Sequence, residues 1–258
     1  MIKFIQIVKW EMKERHKILK IKDIILNLIF PQVCGICGKL STKPVCPKCN
    51  LKIKKQKESE ILNAPELNQN NIKNYKDEKN KEKLESIKEN EKYFEELMYL
   101  FKYEGQIRKL ILDYKFNDKS YMYKAIASFF INDKKIFENI KKYDKIIPVP
   151  ISKKRKKQRG YNQSFLIAKE LAKQANIELI DNCLIKNKNI IEQSKLNKEN
   201  RIQNVKGVYT LKNSEKIKNK KILIFDDIYT TGSTANECAK TLMQAKPKKI
   251  GILIIAKD

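Results

Sequence analysis

Ile222-Leu223-Ile224-Phe225-Asp226-Asp227-Ile228-Tyr229-Thr230-Thr231-Gly232-Ser233-Thr234 is the stretch whose reading decides the fold. Four consecutive apolar residues suit a strand of a parallel sheet buried on both faces. Beyond Thr234, Ala235, Cys238, Ala239, Leu242 and Met243 recur at the spacing of a helix stripe that packs on such a sheet. Asp226 and Asp227 therefore end a strand, and Thr230 to Thr234 open a helix. Unpaired N–H groups and the helix dipole favour an anion there, and the Thr and Ser hydroxyls add donors. Gly232 lets the backbone approach that anion without a Cβ in the way. Two ionised carboxylates can accept hydrogen bonds from neighbouring hydroxyls of a pentose. The pattern predicts a site in which the acids hold a sugar ring and the turn holds its 5-phosphate. An ordinary strand-turn-helix with two solvated acids is the alternative. No GxGxxG and no GxxxxGKS or GxxxxGKT occurs, which disfavours a dinucleotide fold or a Walker-type ATP site.

A second motif lies near the N-terminus. Cys34-Gly-Ile-Cys37-Gly and Cys46-Pro-Lys-Cys49 form two CxxC pairs separated by eight residues. Four thiolates delivered from two tight knuckles match the tetrahedral preference of zinc, and such closed sites are structural. About 20 residues without a core of their own would depend on the metal to fold. A redox CxxC and two disulfides are the alternatives. Cys183 and Cys238 stand apart and read as small buried apolar residues.

The 258 residues, 41% hydrophobic, suffice for one good core with a small appended module. No apolar run approaches the roughly 18 residues of a membrane span. The N-terminus shows neither a sustained apolar region nor a small-residue cleavage site, so a reducing cytoplasm is expected. The formal net charge is +26, and residues 145 to 220 carry half of it, with 19 Lys and Arg against 6 acids. The densest part is Lys153-Lys154-Arg155-Lys156-Lys157-Gln158-Arg159. That surplus exceeds what a pyrophosphate needs and points to a longer anion such as single-stranded nucleic acid. A general Lys, Ile and Asn bias of the sequence is the plainer alternative.

Residues 1–30 read as a basic amphipathic helical segment, 31–50 as the zinc-binding module, 51–93 as a polar insertion or linker and 94–258 as the main domain. Within 94–258, strand patterns such as Lys145 to Val149 and Ile250 to Ala256 alternate with helix patterns. That alternation argues a parallel α/β sheet with its site at the carboxyl ends of the strands.

The acid-acid stretch resembles the phosphoribosyl-pyrophosphate (PRPP) motif of type I phosphoribosyltransferases. With both motifs in view, the chain resembles the ComF family of competence proteins, a zinc module followed by a phosphoribosyltransferase-like domain. Residues carrying the likeness are Phe30-Pro31-Gln32-Val33-Cys34, Tyr103-Glu104-Gly105-Gln106-Ile107-Arg108, Tyr114-Lys115-Phe116, Ile147-Pro148-Val149-Pro150, Arg159-Gly160-Tyr161-Asn162-Gln163-Ser164, and Gln193-Ser194-Lys195-Leu196 with Arg201, Asn204, Gly207 and Tyr209. The resemblance covers about residues 30–50 and 94–258. It implies a pyrophosphate-side loop at Pro148, Val149 and Pro150, a hood at Gln193 to Arg201, and phosphate contacts from Arg159 and Arg201. It further implies Mg²⁺ bridging ligand oxygens, Asp226 and Asp227 near developing charge if a reaction occurs, and a part in handling transforming single-stranded DNA with the competence machinery. An active phosphoribosyltransferase of nucleotide salvage is the alternative. Many relatives carry a further CxxC-type pair where this chain has its polar stretch, which implies a module reduced to one zinc ion. A glutamine-dependent amidophosphoribosyltransferase, which shares the PRPP motif, would require an N-terminal Cys and a glutaminase domain; this chain starts Met1-Ile2-Lys3.

Overall fold

The structure is a computed structural model and describes residues 31–63, 92–117, 119–187 and 205–258. The helical segment expected at 1–30, the hood at Gln193 to Arg201 with Arg201 itself, and Asn204 lie outside the described residues.

After the cysteine knuckles come helix α1 (Pro47–Lys54) and strand β1 (Lys57–Asn63). The main domain follows as β2 (Glu96–Lys102), α2 (Gly105–Phe116), α3 (Met122–Ile131), α4 (Lys134–Ile140), β3 (Lys145–Pro148), α5 (Lys153–Arg159), α6 (Gln163–Ala175) and β4 (Glu178–Leu179). Then come the hairpin strands β5 (Leu184–Lys186) and β6 (Tyr209–Leu211), then β7 (Lys221–Tyr229), α7 (Ser233–Met243) and β8 (Lys249–Lys257). The strand order of the six-stranded sheet is β1-β2-β8-β7-β3-β4, parallel throughout except for β1. This is the α/β, type I phosphoribosyltransferase-like arrangement expected, a parallel sheet flanked by helices. β7 and β8 are central, and their apolar runs are buried on both faces as a doubly covered parallel sheet requires. One face packs Leu223, Phe225 and Leu253 against α2, α3 and α6; the other packs Ile222, Ile224 and Ile252 against α7 and the β5-β6 hairpin.

Residues 57–63, read from sequence as part of a polar linker, form the antiparallel edge strand β1. Their burial alternates only weakly, because β1 has β2 on one side and, among the described residues, nothing in the sheet on the other, so an edge strand of Lys, Glu and Ser carries little apolar signal. Tyr99 donates to Glu60, and Lys57 pairs with the buried Asp133 at 2.8 Å. Asp133 in turn caps α4 by accepting from the Ile136 amide at 2.9 Å.

The cysteine module has no core of its own, as its length dictates. Cys34, Val45, Cys49 and Ile53 join the core that contains Met98, Phe101 and Ala125. A Cβ at Gly35 would stand 2.5 Å from Ala125 Cβ and 3.3 Å from Met122 Cα, so a knuckle lies directly against α3. A cleft of about 530 Å³ opens along this junction, lined by Lys43, Pro44, Ile53, Lys54, Phe101 and Phe129 among others. None of the residues predicted to hold a sugar phosphate lines it.

Candidate functional site

The strand expected at Ile222 to Phe225 runs on to Tyr229, and Thr230 and Thr231 make the turn into α7. Gly232 is the N-cap of α7 with φ +75°, a left-handed conformation that L side chains rarely adopt. A Cβ there would also meet the Tyr229 ring, 2.3 Å from its hydroxyl, so the turn is folded tightly over the last strand residue. The Thr231 and Ser233 hydroxyls hydrogen-bond each other at 2.6 Å, and the Ser233 amide points at Thr231 Oγ1 at 3.4 Å. Thr234 stands in the first helical turn. Hydroxyls and first-turn amides thus converge where the helix dipole favours an anion.

The loop Pro148, Val149, Pro150 runs beside this end of β7. Pro148 pairs with Phe225, and the Val149 amide donates to the Phe225 carbonyl at 2.9 Å. Asn162 fastens the loop to α6: its Nδ2 donates to the Val149 carbonyl at 3.1 Å while its Oδ1 caps the helix at the Ser164 amide. Three segments far apart in sequence therefore meet at the carboxyl ends of β3 and β7, where ligands of open α/β sheets bind.

Asp226 and Asp227 are not equivalent. Adjacent strand residues face opposite sides of a sheet, and apart from Ser164 of α6, which reaches round the strand end to Asp226, their partners follow that rule. Asp226 lies on the α7 side, where burial and then the neighbouring Asp227 carboxylate push its carboxyl up to about 7. Its Oδ1 accepts from the Asp227 amide at 2.9 Å and from Ser164 Oγ at 3.4 Å. On that side burial and Arg155 lower the Lys186 ammonium while Asp226 opposes them, and Lys186 Nζ sits 5.4 Å over the Tyr209 ring. Asp227, largely buried, faces α2 and α6. Lys115 Nζ pairs with its Oδ2 at 2.8 Å, and Gln163 Nε2 reaches the same oxygen at 3.4 Å. Two tyrosines hold these partners in place. Tyr114 donates to the Gln163 carbonyl at 3.0 Å, Tyr161 donates to the Tyr114 carbonyl, and their rings lie 5.8 Å apart. The end of α2 and the start of α6 are thereby locked, with Lys115 and Gln163 against the second acid.

Among the predicted residues, the structure brings together Asp226, Asp227, Thr230, Thr231, Gly232, Ser233, Thr234 and the Pro148–Pro150 loop. Arg159 ends α5, with its guanidinium 4.8 Å over the exposed Phe116 ring. Lys115, Gln163 and Ser164 carry the family likeness and Arg155 the basic run, but none of them, nor Lys186, was assigned to the sugar site from sequence. Lys115 is one of 56 Lys and Arg in the chain, and only the fold distinguishes it.

The four cysteines converge as their spacing predicts. Cys34, Cys37, Cys46 and Cys49 present their sulfurs within 4.8 Å of one another. The knuckles are made by backbone bonds, Cys34 N to Lys39 O at 2.7 Å and Gly38 N to Cys34 O at 2.9 Å, and Pro47 starts α1 directly after Cys46. Burial raises the Cys34 thiol, but the amides of Cys46, Cys37 and Ile36 more than offset it and bring it to about 7. Burial and the crowding thiols of Cys46 and Cys37 push Cys49 well up. Four such groups cannot all ionise without a cation between them, and the donor set fits a metal such as zinc. Among the described residues, no helix is long and apolar enough to cross a membrane.

The phosphoribosyl transferase domain family matches residues 162–258. Competence protein F of Haemophilus influenzae is 30% identical over 152 residues, 57% of this chain and 66% of that protein. Competence protein ComFC of Bacillus subtilis is 29% identical over 146 residues, 56% of this chain and 57% of that protein. DNA utilization protein YhgH of Escherichia coli O157:H7 is 30% identical over 101 residues, 39% of this chain and 44% of that protein. The matched part thus spans less than two thirds of each relative's length. Among solved structures, the B. subtilis glutamine PRPP amidotransferase aligns over 52% of this chain and 26% of its own at 16% identity, with a TM-score of 0.34. The acid-acid turn, the cysteine cluster ahead of the sheet and these competence-protein relatives place the chain in the ComF family of competence proteins.

Proposed function

We propose that the carboxyl end of β7 binds PRPP or a related pentose 5-phosphate, and that the protein uses this site while handling single-stranded DNA in the cytoplasm during natural transformation. The observation that carries the first half is the juxtaposition of two acids, a tight glycine turn and a helix N-terminus. The 5-phosphate lies at the amides and hydroxyls of Thr230 to Thr234, and the ring hydroxyls donate to Asp226 and Asp227. Asp226 and Asp227 are the carboxylates that would hold a Mg²⁺ ion brought in with the ligand. When bound it neutralises phosphate charge. Lys115 and Lys186 contribute cationic charge on either side of the strand end.

The second half rests on α5. Its seven residues include six cations and no buried side chain, and it follows the Pro148–Pro150 loop directly. Ser152 caps it and Gly160 ends it, so a basic helix whose lysines are all exposed is held at the rim of the candidate sugar site. That is a phosphate-tracking surface rather than a packing element.

Calorimetry with PRPP and Mg²⁺ tests the site: the double substitution Asp226→Asn with Asp227→Asn should abolish binding while circular dichroism stays unchanged. Unaltered affinity rejects the assignment. Turnover is the alternative reading, and pyrophosphate release from PRPP across a panel of bases and amines measures it directly; silence across the panel leaves a binding site without transferase activity.

A further inference from the structure

Helix α2 presents Ile107, Leu110, Ile111 and Tyr114 to the core at the spacing of one buried stripe. Phe116, the last residue of the helix, is off that stripe. It is 56% exposed and joins neither hydrophobic cluster, and among the described residues it is the one phenylalanine that the fold leaves exposed. A single exposed apolar residue means little by itself. The surroundings of this one set it apart. Its neighbour Lys115 pairs with Asp227 at 2.8 Å, and the Arg159 guanidinium, at the end of α5, lies 4.8 Å over its ring. That contact is fastened through the backbone on both sides. Tyr161, two residues past Arg159, donates to the carbonyl of Tyr114, two residues before Phe116, and Gly160 turns the chain between Arg159 and Tyr161 at φ +73°. With a guanidinium over one face, the exposed area of the ring is its other face and its edge. An aromatic surface thus stands where the basic helix meets the strand-end acids.

We propose that Phe116, backed by Arg159, is a stacking platform for one base of a single-stranded DNA whose phosphates follow α5. This rests on the reading of α5 as a phosphate-tracking surface. Lysines attract phosphates but offer a base no flat face. An aromatic ring supplies that face, and because every base has one, the contact does not depend on sequence. Surfaces that take single strands in this way combine a basic track with aromatic platforms, the two parts that meet here. Helix α5 is about 10 Å long, so a strand laid along its cations arrives at the ring at the C-terminal end of the helix. Arg159 serves both parts: it belongs to the basic run, and its cation–π contact sets the ring's orientation. An acidic peptide would match the lysines and not the ring.

The test is fluorescence anisotropy of the full chain with two labelled probes, an oligothymidylate and the same sugar-phosphate backbone without bases, each over a range of salt. The wild-type protein should bind the oligothymidylate roughly 5- to 20-fold tighter, the low end for a base on an aromatic ring, because Arg159 already covers one face. Phe116→Ala should lose that margin, leave binding of the baseless backbone unchanged and keep the wild-type salt slope, since no phosphate contact is removed. Phe116→Trp should keep the margin and Phe116→Leu should lose it. The ring lies outside both cores, so thermal melts of all three variants should match the wild type; a marked fall makes Phe116 a packing residue and overturns the inference. Equal wild-type affinity for the two probes also overturns it, while α5 stands as a phosphate surface. A Phe116→Ala protein whose salt slope drops by about 0.7 shows the ring acting only to hold Arg159 against a phosphate, and overturns it as well. So does a polyglutamate of matching charge that binds as tightly as the oligothymidylate. Failure of both probes to bind the wild-type chain removes the reading of α5 itself, and this inference with it.

Discussion

Asp226→Asn should make the protein more stable at neutral pH while costing it its ligand. Burial and the charge of Asp227 raise the Asp226 carboxyl from an ordinary 3.8 to about 7. The folded chain therefore holds a proton between those values that the unfolded chain has released. Stability falls wherever the folded state binds more protons than the unfolded one and pH rises. Asp226 thus costs nothing below about pH 4, an increasing amount between pH 4 and 7, and a constant amount above. Three pKa units set a ceiling of roughly 4 kcal/mol. Asp226 stands at a partly open rim where solvent screens part of that cost, so about 2 kcal/mol is the expected effect. Asparagine retains an Oδ1 to accept from the Asp227 amide and from Ser164, so the contacts survive and only the charge is removed. Urea denaturation of wild type and variant, both with zinc present, should show the variant ahead by that amount at pH 8, or about 4–8 °C in Tm. By pH 5 the advantage should have begun to shrink, and by pH 4 it should be a third or less. A variant that is no more stable at pH 8, or whose advantage is the same at pH 5, refutes the claim that this carboxylate is held at a cost to the fold.

Gly232→Ala should weaken PRPP binding more than tenfold and lower stability by about 1–3 kcal/mol, since a residue at φ +75° must also displace the buried Tyr229 ring. Fluorescence titration and melting check the two effects. Replacing Lys153, Lys154, Lys156 and Lys157 by Gln should leave the melting temperature unchanged, because α5 buries nothing, and should flatten the salt dependence of single-stranded DNA binding by up to about 3 units of log-log slope. An unchanged slope places the DNA surface elsewhere. Purified protein should hold about one zinc per chain by metal analysis, and Cys37→Ser with Cys46→Ser should lose it.

The legible part of the fold was the part written in consecutive residues. Four apolar residues, two acids and a hydroxyl turn name a strand, its tip and a helix start without reference to anything else, and β7 and α7 lie where that stretch placed them. The cysteine pairs were legible for the same reason, because two short knuckles fix four sulfurs locally. What stayed hidden depends on distance in sequence. Lys115 comes to Asp227 across more than a hundred residues, through the packing of α2 and a pair of tyrosines whose bonds are made to backbone carbonyls. No periodicity marks such a lysine in a chain this basic. β1 was hidden differently: an edge strand needs pairing, not burial, so residues 57–63 read as linker although β2 accepts them along five positions.

The cysteine module and the candidate sugar site pack against the same core. Cys34, Cys49 and Ile53 pack with Met98, Phe101 and Ala125, and the cluster continues through Ile107, Leu110 and Tyr114 of α2 to Phe225 on β7. Gly35 stands against α3 so closely that even a methyl group would strike Ala125. Close-packed interiors transmit displacement instead of absorbing it. Tyr114 lies in that core and also bonds the Gln163 carbonyl, so a shift of α2 moves both residues that hold Asp227. A metal at the four thiols would therefore do more than fold about 20 residues. It would fix the outer side of a layer whose inner side presents Lys115 and Gln163 to the second acid, a physical reason for a four-cysteine module and a phosphoribosyltransferase-like sheet to occur in one chain.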